Sequence, residues 1–320
     1  MMASKRWKKI RHTIEYRSVV FLCRLFGRLS LKAVLRTADL AGWLIFHVFR
    51  VRRGVVLSNL RLAFPEMSEA ERKGIARRSY QNMGKMTFEW LHASTASDER
   101  IRTLILFDHE EYFDWTFQNG RGAILLSGHF GNWELMAAAI AKRGHPLSVV
   151  AAKQRNRRVD GFINELRASS GIRVIRLGMA IRGVLRALAN NELVAILGDQ
   201  DAHREGVFVN FFGRPASTHQ GPAALALKTG APIILGSAVR LPDGRHRVLT
   251  DRLTVDHLKG ASPENIRAVT QAHVSLLEKR IRQFPDHWFW MHRRWKTRPP
   301  SERSIPEDET TARREVREAE

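Results

Sequence analysis

A single α/β domain, with a mostly parallel central sheet flanked by helices and amphipathic helices ahead of it, is the architecture this sequence predicts. Three observations lead there. From residue 123 onward short apolar runs alternate with helix-length segments, the rhythm of a chain that lays down parallel strands and returns through helices. Hydrophobic residues make up 44% of the 320, enough to bury a core. The first 61 residues differ from the rest, with fourteen Lys/Arg against two acids.

The N-terminal segment reads as helices. Arg24, Arg28, Lys32 and Arg36 recur every four residues as one basic stripe, with Phe21, Leu22, Leu25, Phe26 and Leu29 facing elsewhere. Trp43 and Phe46 enrich the next apolar stretch. A cationic face beside bulky apolar side chains suits a helix lying in an anionic lipid interface, and equally one docked on the domain. Ser68 to His92 opens on SEAE, a capping box, and continues as a helix.

Strands and helices then alternate. AILLS (123–127) predicts a strand and WELMAAAIAKRG a helix; LSVVA is a strand and Val159 to Ser170 a helix. IRVIRL is a strand, 180–190 a helix, and LVAILG (193–198) a strand. Ala223 to Thr229 is helical, apolar strands follow at 232–239 and 246–250, and 263–283 form a long amphipathic helix. The last twenty residues, with seven acids and four arginines, read as a disordered tail.

The formal charge of +21 calls for an anionic partner: nucleic acid, a membrane surface or a phosphorylated substrate. The single cysteine, Cys23, excludes an internal disulfide framework and a cysteine-based zinc site, and points to a reducing, cytoplasm-facing environment. No uncharged apolar run reaches the roughly 18 residues of a membrane span. The longest, Leu40 to Phe49, has ten. Arg24 and Arg28 interrupt any signal-peptide core, and no small-residue cleavage site follows.

Chemistry concentrates in LLSGHFGNWELMAAAIAKRG. Ser127 ends a strand, Gly128 to Gly131 form a loop, and Asn132 caps a helix whose first turn holds Glu134. His129 therefore lies on a loop beyond a strand's carboxyl end, where open α/β sheets bind ligands, and the turning chain lets Glu134 approach it. A neutral imidazole takes a proton near neutral pH, and a carboxylate on its other nitrogen fixes the tautomer. A structural reading competes: Glu134 complements the positive end of the helix, and His129 is a hydrogen-bonded loop residue. The chain lacks a GxSxG elbow, and its cysteine lies in the N-terminal segment. The nucleophile is then a hydroxyl of the substrate, with His129 as its base.

Other strand ends add polar groups. Asp199 and Asp201 follow LVAILG, with Phe208, Phe211 and Phe212 close by and Gly213 closing the segment. This mixture suits a polar head and a greasy chain, although each phenylalanine alone fits the core better than a ligand contact. In KQRNRR, Arg155 can reach the same sheet edge to bind phosphate or an oxyanion, whereas Arg157 and Arg158 read as a solvated face.

GHFGNWE, then QRN, then GDQD with VFVNFFG, then HWFWMHRRWKTRP together resemble the lipid A late acyltransferase family of the lysophospholipid acyltransferase superfamily. The superfamily's mark is a histidine, four residues and an acid, and the likeness runs over roughly residues 10–300. It implies that His129 and Glu134 form a catalytic dyad, that Arg155 is the family's important arginine, and that Asp199 lies in its acidic turn. Asn156, Asp199, Asp201, Phe208, Phe211, Arg293 and Arg294 join Arg155 as substrate-binding residues. The implied reaction moves a fatty acyl group from an acyl carrier protein or acyl-coenzyme A thioester to a hydroxyl of a lipid A precursor or related glycolipid. It takes place at the cytoplasmic face of the inner membrane, on an anionic surface, without metal, other cofactor or nucleic acid. In this reaction the acceptor hydroxyl gives its proton to His129 and attacks the thioester. Backbone N–H groups of GHFGN or Arg155 meet the oxyanion, and the imidazolium reprotonates the leaving thiol.

The resemblance divides the chain into a basic amphipathic membrane-associating region (1–66), an acyltransferase α/β domain (67–300) and a charged disordered tail (301–320). Family members commonly carry an N-terminal transmembrane helix, whereas the equivalent here is charged. Two rival classes remain. A metal-dependent phosphoesterase would use His129, Asp199, Asp201, His203 and His219 as ligands. A nucleic-acid-binding protein would explain the charge, but no helix-turn-helix, ribonucleoprotein or zinc-finger pattern appears.

Overall fold

A computed structural model describes residues 2–118, 120–255 and 257–300, so the predicted disordered tail lies outside the described residues. Helices come first: α1 (Met2–Arg28), α2 (Leu31–Leu44, continued by a π-helical turn at Ile45–Phe49), α3 (Arg53–Ala63), α4 (Glu69–Ala93) and α5 (Asp98–Leu104). The sheet region follows with β1 (Ile105–Phe107), α6 (Glu111–Gln118), β2 (Ala123–Ser127), α7 (Trp133–Lys142), β3 (Leu147–Ala151) and α8 (Arg157–Ser169). Next come β4 (Ile172–Arg176), α9 (Ala180–Ala189), β5 (Leu193–Leu197), β6 (Val207–Phe211) and β7 (Arg214–Thr218). The chain finishes with α10 (Gly221–Thr229), β8 (Ile233–Arg240), β9 (His246–Leu253) and α11 (Pro263–Gln283).

Seven strands form one sheet in the order β1-β9-β8-β2-β5-β3-β4, parallel everywhere except at the β8/β9 hairpin. The predicted α/β class with a mostly parallel, helix-flanked sheet is therefore the observed one. Strand alternation explains its layers. Ala123 and Leu125 of β2 point into a core shared with Leu135, Met136 and Ile140 of α7. Ile124 and Leu126 point to the opposite face, against Val184 and Leu188 of α9 and Ala223 and Ala226 of α10. A third core caps the carboxyl edge of the sheet, where Phe64, Phe130, Phe211, Phe212, Trp288 and Trp290 pack together.

The β6–β7 hairpin carries no sequence signal of the usual kind. Its turn is Phe212-Gly213, both at positive φ (54° and 73°), where Asn-Gly or Asp-Gly is the expected pair. A phenylalanine held in left-handed backbone needs tertiary support. Phe212 has it: its N–H donates to Glu278, and its ring packs on Phe64, Phe211 and Trp290 beneath the Arg282 guanidinium.

The N-terminal helices differ from the predicted continuous basic stripe. Ser30 accepts a hydrogen bond from the Ala33 N–H and starts a new helix, so Arg24 and Arg28 lie on α1 while Lys32 and Arg36 lie on α2. Phe26, Cys23 and Val34 are buried against Leu91 of α4. The outward face of α1 keeps Trp7, Ile10, Ile14, Phe21 and Leu25 exposed, Trp7 to 72% and Phe21 to 64%. These positions follow helical spacing, so they line one stripe. Among the described residues no helix is long and apolar enough to cross a membrane.

Candidate active site

Sheet register sets the site. β2 and β5 are parallel neighbours with Ser127 opposite Leu197, so residues two steps beyond each strand end emerge side by side. Those residues are His129 and Asp199. The His129 Nδ1–H donates to Asp199 Oδ1 at 2.7 Å, and the His129 backbone N–H donates to Oδ2 at 2.8 Å. The Trp288 indole N–H reaches the same Oδ2 at 2.7 Å. A carboxylate 3% exposed thus accepts three hydrogen bonds.

Glycines make this approach possible. A Cβ on Gly128 would sit 3.1 Å from Asp199 Oδ2. Gly131 has φ of 58°, and a Cβ there would overlap the Ala238 carbonyl at 1.6 Å. Only glycine fits such a place. The segment after α11 then locks the loop from outside: Gly131 N–H donates to the His287 carbonyl, and Phe289 N–H to the His129 carbonyl. Trp133, in a T-shaped contact, and Phe289, tilted, flank the imidazole with centroids 5.1 and 6.1 Å away.

Burial raises the pKa of Asp199, but the His129 charge and the hydrogen bonds outweigh it and hold the carboxyl down at about 2. Burial likewise pulls the His129 pKa down. The Asp199 charge and hydrogen bond, with a smaller attraction from Glu134, overcome that and raise it. An ionised Asp199 accepts only, so it fixes the proton on Nδ1 and leaves Nε2 as the acceptor nitrogen. The Gln200 amide nitrogen lies 3.4 Å from Nε2. An imidazole held this way can take a proton at Nε2.

The predicted contact between His129 and Glu134 does not form. Glu134 is at the second position of α7 and points across to α8, where Arg167 donates to it through both Nε (3.0 Å) and a terminal nitrogen. Register, rather than spacing along the chain, selects the acid bonded to His129. The loop amides are also committed: His129 N–H to Asp199, Phe130 N–H to Gly128, and Gly131 N–H to His287.

Other predicted residues scatter. Asn156 caps α8 and donates to the His12 carbonyl and to Glu15, tying α8 to α1. Arg155 is exposed in a basic cleft of about 530 Å³ with Lys8, Lys9, Arg157 and Arg158. Asp201 is buried, accepting from Thr297 and His203. Phe208 is half-buried on β6, and Phe211 is core, stacked on Trp295 and edge-on to Trp288. Arg293 is exposed, whereas Arg294 is 1% exposed and donates at 2.5 Å to the Ser217 carbonyl and the Thr218 hydroxyl. Burial lowers the Arg294 pKa to about 10, although Asp199 and Asp201 pull it upward.

Gln200, Trp288 and Arg167 are site neighbours that sequence reading passes over. Trp288 alone left a signal, since a buried indole N–H needs an acceptor. The metal-ligand alternative finds no support: among the described residues no three His, Cys, Asp or Glu side chains gather to hold an ion.

Comparison with known proteins adds to this geometry. Residues 3–297 match the family described as bacterial lipid A biosynthesis acyltransferase. The chain is similar to the lipid A biosynthesis lauroyltransferase of Escherichia coli (strain K12), at 29% identity over 81% of this chain and 83% of that protein. The palmitoleoyltransferase of lipid A biosynthesis from the same strain is 26% identical over 79% and 82%. A phosphatidylinositol mannoside acyltransferase of Mycolicibacterium smegmatis is 28% identical over 55% of this chain and 57% of its own length.

Proposed function

Because this chain belongs to the bacterial lipid A biosynthesis acyltransferase family and is an acyltransferase, we propose that it moves a fatty acyl group from a thioester donor to a hydroxyl of a lipid A precursor or related glycolipid. The single observation that carries the mechanism is the His129–Asp199 pair, which leaves Nε2 as an acceptor with only the Gln200 amide, at 3.4 Å, beside it among the described residues. The acceptor hydroxyl gives its proton to Nε2 as its oxygen bonds to the thioester carbon. The tetrahedral oxyanion collapses, the C–S bond breaks, and the imidazolium returns the proton to the departing thiolate. General-base assistance of this kind is worth roughly 10²–10⁴-fold. Asp199 keeps the tautomer correct and balances the imidazolium.

Glu134 takes a different part in this reading. Its charge attracts the His129 proton from a distance, and its paired hydrogen bonds to Arg167 hold α7 against α8. The oxyanion donor is the Gln200 amide, which faces the reacting position and, unlike the loop N–H groups, is not committed to the protein backbone.

Membrane association of residues 1–66 is supported by the exposed stripe of α1 with its cations. An acyl carrier protein is the favoured donor, because an acidic carrier complements a chain of formal charge +21. Incubating purified protein with acyl carrier protein thioester and lipid A precursor, with mass spectrometry of the lipid, tests the reading. The expected result is one added acyl group with wild type and at least about 10²-fold less with His129→Ala at unchanged thermal midpoint. Near-normal turnover by that variant rejects His129 as the base.

A further inference from the structure

We propose that the open cleft beside the Asp201 turn is a subsite for the phosphate group of a substrate. The cleft measures about 730 Å³ and is lined by His203, Arg204, Glu205, His219, Lys296 and Arg298, among others. Arg204 and Lys296 share this lining with one carboxylate, Glu205. Among the described residues neither the Arg204 guanidinium nor the Lys296 ammonium has an ion-pair partner within the protein. Unpaired cations converging on a hollow are an anion site in search of its anion.

Its walls are held before any ligand arrives. One buried carboxylate anchors both sides: Asp201 accepts from the His203 N–H, whose ring lies 3.2 Å away, and from the Thr297 hydroxyl at 2.9 Å and N–H at 3.3 Å. His203 has φ of 55°, a left-handed conformation kept by those bonds. The floor is tied to β7 through the Asp201–Thr218 bridge, and buried Arg294 clasps Ser217 and Thr218 from behind. Arg294 is therefore the brace of this cleft, and Arg204 and Lys296 are the cations that meet the ligand.

The cleft lies close to the reacting imidazole. Gln200 touches His129, and the lining begins two residues later at Ala202. Asp199 and Ala202 are three residue steps apart, at most ~11 Å of extended chain. A phosphate in the cleft would hold a substrate with its reactive atom near Nε2. Two sources carry such a group: the phosphodiester of a phosphopantetheine thioester and a phosphate on the lipid acceptor. This inference uses the acyl-transfer reading only to name those sources.

Two measurements test it, one independent of activity. Inorganic phosphate is titrated into the full chain at constant ionic strength and followed by ³¹P linewidth. The Arg204→Gln/Lys296→Gln double variant should bind at least about fivefold more weakly, while Lys73→Gln/Arg77→Gln, which removes two exposed cations of α4 outside this cleft, should match wild type. Equal affinity in the first variant and wild type overturns the proposal, even if the protein proves inactive as an acyltransferase. In the assay, the double variant should raise KM with little change in kcat. A rise for the carrier thioester assigns the cleft to the donor. A rise for a phosphorylated lipid A precursor, absent with the same lipid after phosphatase treatment, assigns it to the acceptor. Unchanged KM for both substrates rejects the subsite.

Discussion

Two pairs of strand ends share one edge of the sheet and could hardly be built more differently. Beyond β2 and β5, His129 and Asp199 are enclosed by Trp288, Phe289 and Trp133, and every polar atom of the carboxylate is engaged. Beyond β3 and β4, Arg155, Arg157 and Arg158 stand in solvent, and Leu177 and Ile181 are exposed to 60% and 68%. Proton transfer needs a fixed geometry and low dielectric, so its groups are packed and satisfied. Attraction to an anionic interface needs hydrated charge and apolar side chains that are free to enter lipid. The same sheet edge thus offers a packed, satisfied pair in one place and hydrated charge with free apolar side chains in the other, because what covers it differs.

The sharpest way to break this comparison is at the buried pair. Asp199→Asn removes the charge that fixes the His129 tautomer, and transfer should fall by about 10³-fold with the chain still folded. Glu134→Gln removes a more distant charge and should cost about tenfold. If the order is reversed, the contact seen between Glu134 and Arg167 is not the catalytic arrangement.

A pH profile sharpens the same point. In the proposed reaction His129 must be neutral to act, and its pKa is raised above the ordinary 6.5. Activity should therefore fall as pH drops through that raised value, placing the acid limb above pH 6.5. In Asp199→Asn the upward pull is lost while burial remains, so the limb should shift to lower pH. An unmoved limb would assign the titration to another group.

Arg293 and Arg294 test the comparison within two residues. Arg294→Gln breaks a buried charge cluster and should destabilise the fold by about 2–4 kcal/mol. Arg293→Gln alters an exposed side chain and should change stability by less than about 0.5 kcal/mol. Chemical denaturation of both variants gives the answer, and equal stability would mean that Arg294 is not the brace. The exposed edge is tested by binding rather than by turnover. Replacing Arg155, Arg157 and Arg158 by Gln should weaken binding to phosphatidylglycerol vesicles by ~1 kcal/mol per charge and flatten its salt dependence. Vesicle flotation that does not change would remove this edge from the lipid-facing surface.

Much was legible along the chain because local rules sufficed. The capping box at Ser68, the Asn132 cap of α7 and the alternating apolar runs each act within a few residues. His129 stood out because two glycines frame it and a strand precedes it. The β6–β7 hairpin was not legible, since its Phe212-Gly213 turn is held by rings from α3's end and the C-terminal segment. Nor was the break at Ser30, because the four-residue spacing of basic residues persists across it.

The sequence by itself determined the strand-and-helix rhythm, the basic N-terminal region and the loop that presents His129, because periodicity, capping and charge are properties of neighbours. Only the tertiary structure decided which carboxylate serves that histidine. The pairing of β2 with β5 brings together groups 70 residues apart, whereas Glu134, five residues away, is turned by its helix towards Arg167. Register between strands is set by the packing of both sheet faces, and no local stretch of chain contains that information.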